Sequence, residues 1–372
     1  MPLNPRLVKE SFAVIEPVAG KAAAYFYGRL FAESPHLRAM FPPSMDVQRD
    51  RLFSALTRVV WSLDSPDSLA SYLGQLGRDH RKYGVVADHY TAVGNALLAT
   101  VKRFAADIWT AEIEAAWVAA YAAAAGLMKE AAEADAGVSP AWWPAEVIDH
   151  ERRTEDIAVL TLRPAQRLPY LAGQYVSVQV ARWPRVWRTF SIANAPRPDN
   201  TVRLHVRGVP GGWVSTSLVR HTRIGDMIML GPPVGTMVAP EHGERDLLCV
   251  AGGTGLAPLK AIIEQVAASG RRPGIHLLYG ARTARELYDL PDLVRLESSF
   301  PWLRVLPVVS DQPGFEGIRG HLPEVTQRFH SWAEHDVYVC GPPAMVNETI
   351  RLLRLSGVPP ARIHRDVALG ET

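Results

Sequence analysis

Cysteine is nearly missing from this chain: Cys249 and Cys340 are the only two in 372 residues. Two are too few for a disulfide framework, and fewer than the four thiolates of a plant-type iron–sulfur cluster. Any electron traffic here runs without such a cluster. Long apolar runs are also missing; none approaches the roughly 20 residues that cross a bilayer. The start, Met1-Pro2-Leu3-Asn4-Pro5, has no basic segment leading into an apolar stretch, so neither a membrane span nor a signal peptide is expected, and the expected compartment is the cytoplasm. Charge of one sign is not in excess. Forty Lys and Arg stand against 38 Asp and Glu, for a net charge of +2, and the basic residues are dispersed, which leaves no footprint for nucleic acid or an anionic surface. Repeats and low-complexity tracts are absent. What is plentiful is apolar material, 48% of residues against 21% charged, enough for two or three cores of about 100–150 residues each.

The pattern of that material changes twice. From Leu7 to about Glu133, apolar residues recur at intervals of three and four, as in Leu56-Val59-Val60-Leu63 and Ala96-Leu97-Thr100-Val101, and Pro35, Pro42-Pro43 and Pro66 divide the stretch into separate helices. Small and polar residues at Ala134-Asp135-Ala136-Gly137-Val138-Ser139-Pro140 mark a boundary. Beyond it Ile157–Leu162, Tyr175–Val180 and Val202–Val206 alternate or run β-branched between Gly and Pro turns, as antiparallel barrel strands do. From about Asp246 the signal becomes buried strand, Gly turn, helix: Leu247–Ala251, then Gly252-Gly253-Thr254-Gly255, then a helix from Leu259 to Ala268. Gly274–Gly280 and Asp336–Cys340 supply further strands. The expected architecture is multidomain: an all-α domain over residues 1–136, an antiparallel β-barrel over 144–241 and a doubly wound α/β domain over 244–372.

Three short motifs carry chemistry in the last two domains. Arg188-Thr189-Phe190-Ser191 offers a guanidinium fork for a pyrophosphate, a ring for an isoalloxazine and a hydroxyl for a ring nitrogen. Alone it is weak, but Ala172-Gly173-Gln174-Tyr175 precedes it, and Gly212, Val214 and Ser215 follow at what reads as a helix start, where free amides hold phosphate. In this order the elements resemble the FAD domain of the ferredoxin–NADP reductase superfamily, over roughly residues 145 to 372. Gly252-Gly253-Thr254-Gly255-Leu256-Ala257-Pro258 and Cys340-Gly341-Pro342-Pro343 are similar to that superfamily's nicotinamide domain, a resemblance that puts Cys340 near the hydride path; a buried structural thiol is the plainer alternative. Tyr279-Gly280-Ala281-Arg282 ends the next strand, where the resemblance implies the adenosine ribose would lie. Arg282 and Arg285 are candidates for a 2′-phosphate, yet arginines are common at such strand ends, which leaves NADH and NADPH both open; the resemblance to flavin reductases with Gly-Ala-Arg here implies a lean to NADH.

The helical domain resembles the globin of bacterial flavohemoglobins. Tyr25-Phe26-Tyr27-Gly28-Arg29-Leu30-Phe31 is similar to that family's second helix, and the resemblance turns Tyr27 into the distal pocket of haem b. Phe41 then packs on the haem face, while Gln48 and Leu52, four apart on one helix face, line the oxygen side. His80 and His89 both offer an imidazole. The interval of 32 residues from Gln48 to His80 is the family's, so His80 is the expected iron ligand and His89 a helix-start residue. Tyr90 stands ten residues beyond His80, where the family has a tyrosine that, with a glutamate, hydrogen-bonds the proximal imidazole. Here an ungapped count puts Ala132 at that glutamate's place, leaving Glu133 as the candidate and Glu130 nearby. Two more departures are Asp79, where a lysine usually precedes the ligand, and His364–Gly370, which keeps an acid, Asp366, but lacks the family's aromatic.

The resemblance implies a nitric oxide dioxygenase: NAD(P)H reduces FAD, FAD reduces haem, and NO with O2 becomes nitrate, with no protein partner. Alternatives on the same electron path are another acceptor, such as a hydroperoxide or nitrite, or a haem sensor gating its own reductase.

Overall fold

The computed structural model describes residues 4–240, 243, 245–329 and 331–366. They fall into two compact units that part between Trp142 and Trp143.

The first unit holds helices α1 (Pro5–Ile15), α2 (Ala19–Glu33), α3 (Asp46–Trp61), α4 (Pro66–His80), α5 (Ala87–Phe104) and α6 (Ala111–Ala136). Their ends follow local chemistry. Asn4 accepts from the Leu7 amide with Pro5 at the first helical position, and Thr110 Oγ1 accepts from the Ile113 amide at 3.3 Å. The core gathers Phe12, Phe26, Leu30, Leu73, Leu97 and Trp117. Phe12 stacks on Phe53 at 5.3 Å, and the indole of Trp117 donates to Ser11 Oγ at 2.9 Å, so the polar atoms brought inside have partners. Helices α4 and α6 cross closely. A Cβ on Gly77 would land on the Met128 carbonyl, so only glycine lets the two backbones meet there and bring the end of α4 against α6.

The second unit begins with an antiparallel sheet of β1 (Trp143–Arg152), β2 (Ile157–Pro164), β3 (Tyr175–Val180), β4 (Arg188–Ser191), β5 (Val202–Arg207) and β6 (Met227–Leu230), with α7 (Trp213–Arg220) between the last two. The strand order β4-β3-β6-β1-β2-β5 and a bridge from Ile192 to Leu204 nearly close it into a barrel. A parallel sheet follows: β7 (Leu247–Gly252), α8 (Leu256–Ala268), β8 (Ile275–Ala281), α9 (Leu290–Ser299), β9 (Leu303–Val309), β10 (Ile318–Arg319), α10 (Leu322–Gln327), β11 (Asp336–Cys340), α11 (Pro343–Leu355) and β12 (Ile363–Arg365). Its order, β10-β9-β8-β7-β11-β12, reverses between β7 and β11. The expected sequence of helical domain, antiparallel barrel and doubly wound α/β domain is what the chain forms. One boundary shifts: α8 begins at Leu256 rather than Leu259, because Pro258 falls in the first turn, where no helical amide is needed.

Barrel and α/β domain share a buried polar seam. His205 on β5 places Nδ1 2.8 Å from the Tyr288 hydroxyl, and Lys260 on α8 meets Asp289 at 2.6 Å and Asp292 at 3.6 Å. Arg153 reaches Asp292 at 3.3 Å. Burial, with Lys260, Arg153 and Arg203 nearby, holds His205 well below the ordinary imidazole value. The unfolded chain takes up a proton near pH ~6.5 that the folded chain refuses, so the stabilisation is complete above that value and declines as pH falls through it. Denaturation midpoints are expected to drop between about pH 7 and 5.5. His205→Gln is expected to flatten that slope, and an unchanged slope in the variant would reject the assignment.

Candidate functional site

In the first unit, α2 and the segment after it build an aromatic cluster. The Tyr27 ring lies 5.5 Å from Phe41 and 5.8 Å from Phe31, and Phe31 lies 5.2 Å from Phe41. The Tyr27 hydroxyl donates to the backbone carbonyl of Gln48 at 3.4 Å, a long bond that ties α2 to the start of α3 and leaves the hydroxyl able to turn to a better acceptor. Burial pushes the Tyr27 phenol up to about 12, so it stays protonated, and therefore a donor, across physiological pH. Gln48 is half-buried, and Leu52, one turn on, packs with Leu56 and Val59 against the core.

His80 closes α4. Its Nδ1 lies 2.7 Å from the Leu76 carbonyl, one turn back, so that nitrogen carries the proton and Nε2 keeps its lone pair. Burial lowers the His80 pKa and favours the neutral imidazole. This is the donor chemistry an axial haem ligand needs, and the residues fit a b-type haem. Neither Tyr90 nor Glu133 hydrogen-bonds His80 among the described residues. Glu133 is exposed on α6. The acid that faces the end of α4 is Asp135, ion-paired with Arg81, whose Nη2 also donates to the Ser139 carbonyl at 2.8 Å. Sequence counting carries no signal for that pairing, since Arg81 and Asp135 lie 54 positions apart. Tyr90 instead accepts, through its carbonyl, the Tyr121 hydroxyl at 2.6 Å. Asp79 takes the ammonium of Lys82 at 2.5 Å, so a lysine stands near His80, contributed from the residues after it. His89 starts α5, its Nδ1 accepting from the Val86 amide at 3.3 Å.

In the barrel, β4 pairs with β3 in the register Tyr175↔Ser191 and Val178↔Arg188. Arg188 and Thr189 are exposed, while Phe190 and Ser191 are half-buried; Arg188 and Phe190 share one face of the strand. Gly212 caps α7 without any side-chain acceptor, so the amides of Trp213, Val214 and Ser215 in the first turn are left for an anion. Ser215 Oγ is used locally, accepting from the Val209 amide at 3.3 Å and donating to the Gly212 carbonyl at 3.2 Å. The Arg188 fork and the bare helix start fit a flavin pyrophosphate.

The α/β domain brings two distant turns together at its strand-order reversal, the crevice where open α/β sheets take ligands. A Cβ on Gly252 would lie 2.8 Å from Met345 Cε and 3.0 Å from Pro342 Cδ; one on Gly255 would fall on the Cys340 carbonyl and 2.6 Å from the Gly341 nitrogen. Gly253 and Gly341 sit at φ of 56° and 153°, which glycine alone adopts readily. The cradle has the bare backbone a dinucleotide pyrophosphate needs, with Thr254 half-exposed in it, whereas Leu256, Ala257 and Pro258 are buried in the packing of α8. Arg207 of the barrel reaches over this turn, with Nη2 3.6 Å from where a Gly253 Cβ would be. Cys340 is half-buried; burial, with Asp366 nearby, pushes its thiol up to about 12 and keeps it neutral. At the end of β8, Glu286 accepts from the Arg282 amide at 3.1 Å, from its guanidinium at 2.9 Å and from the Thr283 amide at 3.2 Å. No motif singles out Arg207 or Glu286, because their roles depend on strands that meet only in the fold. Of the altered C-terminal segment, Val367–Gly370 lies outside the described residues.

Three families match in turn: globin over residues 24–128, an oxidoreductase FAD-binding domain over 144–238 and an oxidoreductase NAD-binding domain over 249–350. The chain is 28% identical over 392 residues to a flavohemoprotein of Chromobacterium violaceum, covering 97% of this chain and 96% of that one. It is 35% identical over 222 residues to the ferredoxin–NAD(P)(+) reductase component of the naphthalene 1,2-dioxygenase system of Pseudomonas putida, covering 59% of this chain and 67% of the relative. A solved structure of a Malassezia yamatoensis flavohemoglobin with bound FAD and heme superposes with a TM-score of 0.78 at 19% identity, over 96% of this chain and 98% of the other, which speaks for the fold. No helix of the described residues is long and apolar enough to cross a membrane.

Proposed function

The chain belongs to the flavohemoprotein family, a globin in line with an FAD- and NAD-binding reductase, and from that premise we propose that it is a cytoplasmic nitric oxide dioxygenase that converts NO and O2 to nitrate. When bound, the nicotinamide would supply hydride, FAD would link that two-electron donor to a one-electron acceptor, and haem would supply the redox-active iron for dioxygen chemistry. The chain's own residues do the rest. His80 offers Nε2 to the iron while the Leu76 carbonyl fixes its tautomer. A neutral carbonyl polarises the imidazole less than a carboxylate does, so a separate hydrogen-bond donor would carry more of the stabilisation. That donor is Tyr27, buried, protonated and held at the start of α3 beside Gln48, and it is the observation that most supports this reading. Leu52 and Phe41 keep water out of the same space. In the reductase, Arg188, Phe190 and Ser191 with the start of α7 hold the flavin, and Gly252–Gly255 with Cys340–Pro342 hold the dinucleotide. Glu286, closed on Arg282, presents a carboxylate where a 2′-phosphate would sit, which favours NADH over NADPH.

Tyr27→Phe removes the hydroxyl and keeps the ring. A hydrogen bond to a developing negative charge is worth roughly 1.5–3 kcal/mol, so dioxygen is expected to leave the reduced holoprotein about 10- to 100-fold faster. Stopped-flow displacement by carbon monoxide measures this; release at the wild-type rate would remove Tyr27 from the site.

A further inference from the structure

The turn between β3 and β4 and the start of α7 meet in a pair of tryptophans that the flavin motifs leave unused. Trp183 packs against the barrel core, and Trp213, the first residue of α7, stacks on it with ring centroids 4.8 Å apart and planes 23° from parallel. Trp213 is 40% exposed. The turn that carries Trp183 is tightly built. The Trp183 amide donates to the Val180 carbonyl at 3.0 Å, and Arg185 takes a left-handed φ of 67°, its amide donating to the buried side chain of Gln179 at 2.5 Å. A non-glycine residue held in that conformation is uncommon and points to a shape kept for use.

The position of the pair follows the length of the cofactor. Phe190 and Ser191 lie at one end of β4 and Arg188 at the other, about 7 and about 10 Å away at a strand's rise of about 3.3 Å per residue. FAD runs in the order flavin ring, ribityl chain, pyrophosphate, ribose, adenine. With the ring at Phe190 and Ser191 and the pyrophosphate between Arg188 and the bare amides of α7, the same turn and the same helix start contribute an aromatic surface, Trp183 with Trp213. Arg182 and Arg185 are exposed on that turn and add positive charge beside the phosphates.

We propose that Trp213, backed by Trp183, is a stacking platform for the adenine of FAD, and that through it this chain selects FAD over FMN. The proposal rests on the flavin site described above. Base stacking on an aromatic side chain is sequence-tolerant, strong enough to set affinity, and needs only an open ring face.

The test uses the full chain stripped of flavin and titrated with FAD and, separately, with FMN, which has the ring and one phosphate but no adenine. Trp213→Ala is expected to weaken FAD binding roughly 10- to 100-fold and to leave FMN binding unchanged; Trp213→Phe, which keeps a ring face, is expected to hold FAD within about threefold of wild type. Tryptophan emission should be quenched by FAD much more than by FMN, and that difference should vanish in Trp213→Ala. If Trp213→Ala weakens both flavins equally, or neither, the platform is overturned while the flavin site stands. A wild-type chain that binds neither flavin would overturn both.

Discussion

His80→Ala is expected to yield a protein without tightly held haem: no Soret band after purification, and NO consumption reduced on the order of a hundredfold or more, since the substitution removes the protein's bond to the iron. Reduction of FAD by NADH should persist within about twofold, because the reductase cradle lies in the other compact unit, beyond Trp142. The contrast between the two readouts makes the experiment specific. Loss of both would indicate misfolding, which far-ultraviolet dichroism checks, and retention of a strong Soret band would mean that another residue holds the iron. His89 is the competing imidazole. Its Nδ1 is engaged at the start of α5 by the Val86 amide, so His89→Ala is expected to lower the stability of that helix end while leaving the haem spectrum intact.

Gly255→Val is expected to have the opposite signature. Any Cβ at this position meets the backbone of Cys340 and Gly341, and backbone, unlike the end of a flexible side chain, cannot step aside. Overpacking of this kind costs roughly 1–3 kcal/mol, and it falls on the contact that sets the distance between the two turns of the dinucleotide cradle. A displacement of about 1 Å there is expected to slow hydride transfer from NADH to FAD about a hundredfold. FAD content and the haem spectrum should be unchanged. Stopped-flow bleaching of the flavin under anaerobic conditions reads the step directly, and a wild-type rate would show that the cradle lies elsewhere.

Much of the architecture is legible in the residues themselves. The Tyr175–Val180 strand, the Asp336–Cys340 strand and the glycine turn after Leu247–Gly252 stand out because their signals are local: alternation or a buried run, then residues with the required backbone freedom. Tyr27, Phe41 and Gln48 also come together, ring against ring and hydroxyl to carbonyl. What stays hidden depends on pairs far apart in sequence. Arg81 with Asp135, His205 with Tyr288, and Arg207 over Gly253 are set by helix crossing and strand order, and neither periodicity nor a motif reports them. Glu133 shows the same limit from the other side: it stands close to the expected place by count, yet it is exposed. Helix phase, at about 100° per residue, outweighs nearness in number. Trp183 and Trp213 are 30 positions apart, and only the fold stacks them.

Dioxygenase chemistry is tested most directly by following NADH oxidation in the purified holoprotein anaerobically, then with O2, then with O2 and NO together, while nitrate is measured. The expected result is slow turnover in the first two conditions and strong stimulation in the third, with nitrate formed in proportion to the NO consumed. Turnover that O2 alone drives fully, or that NO leaves unstimulated and without nitrate, would contradict it.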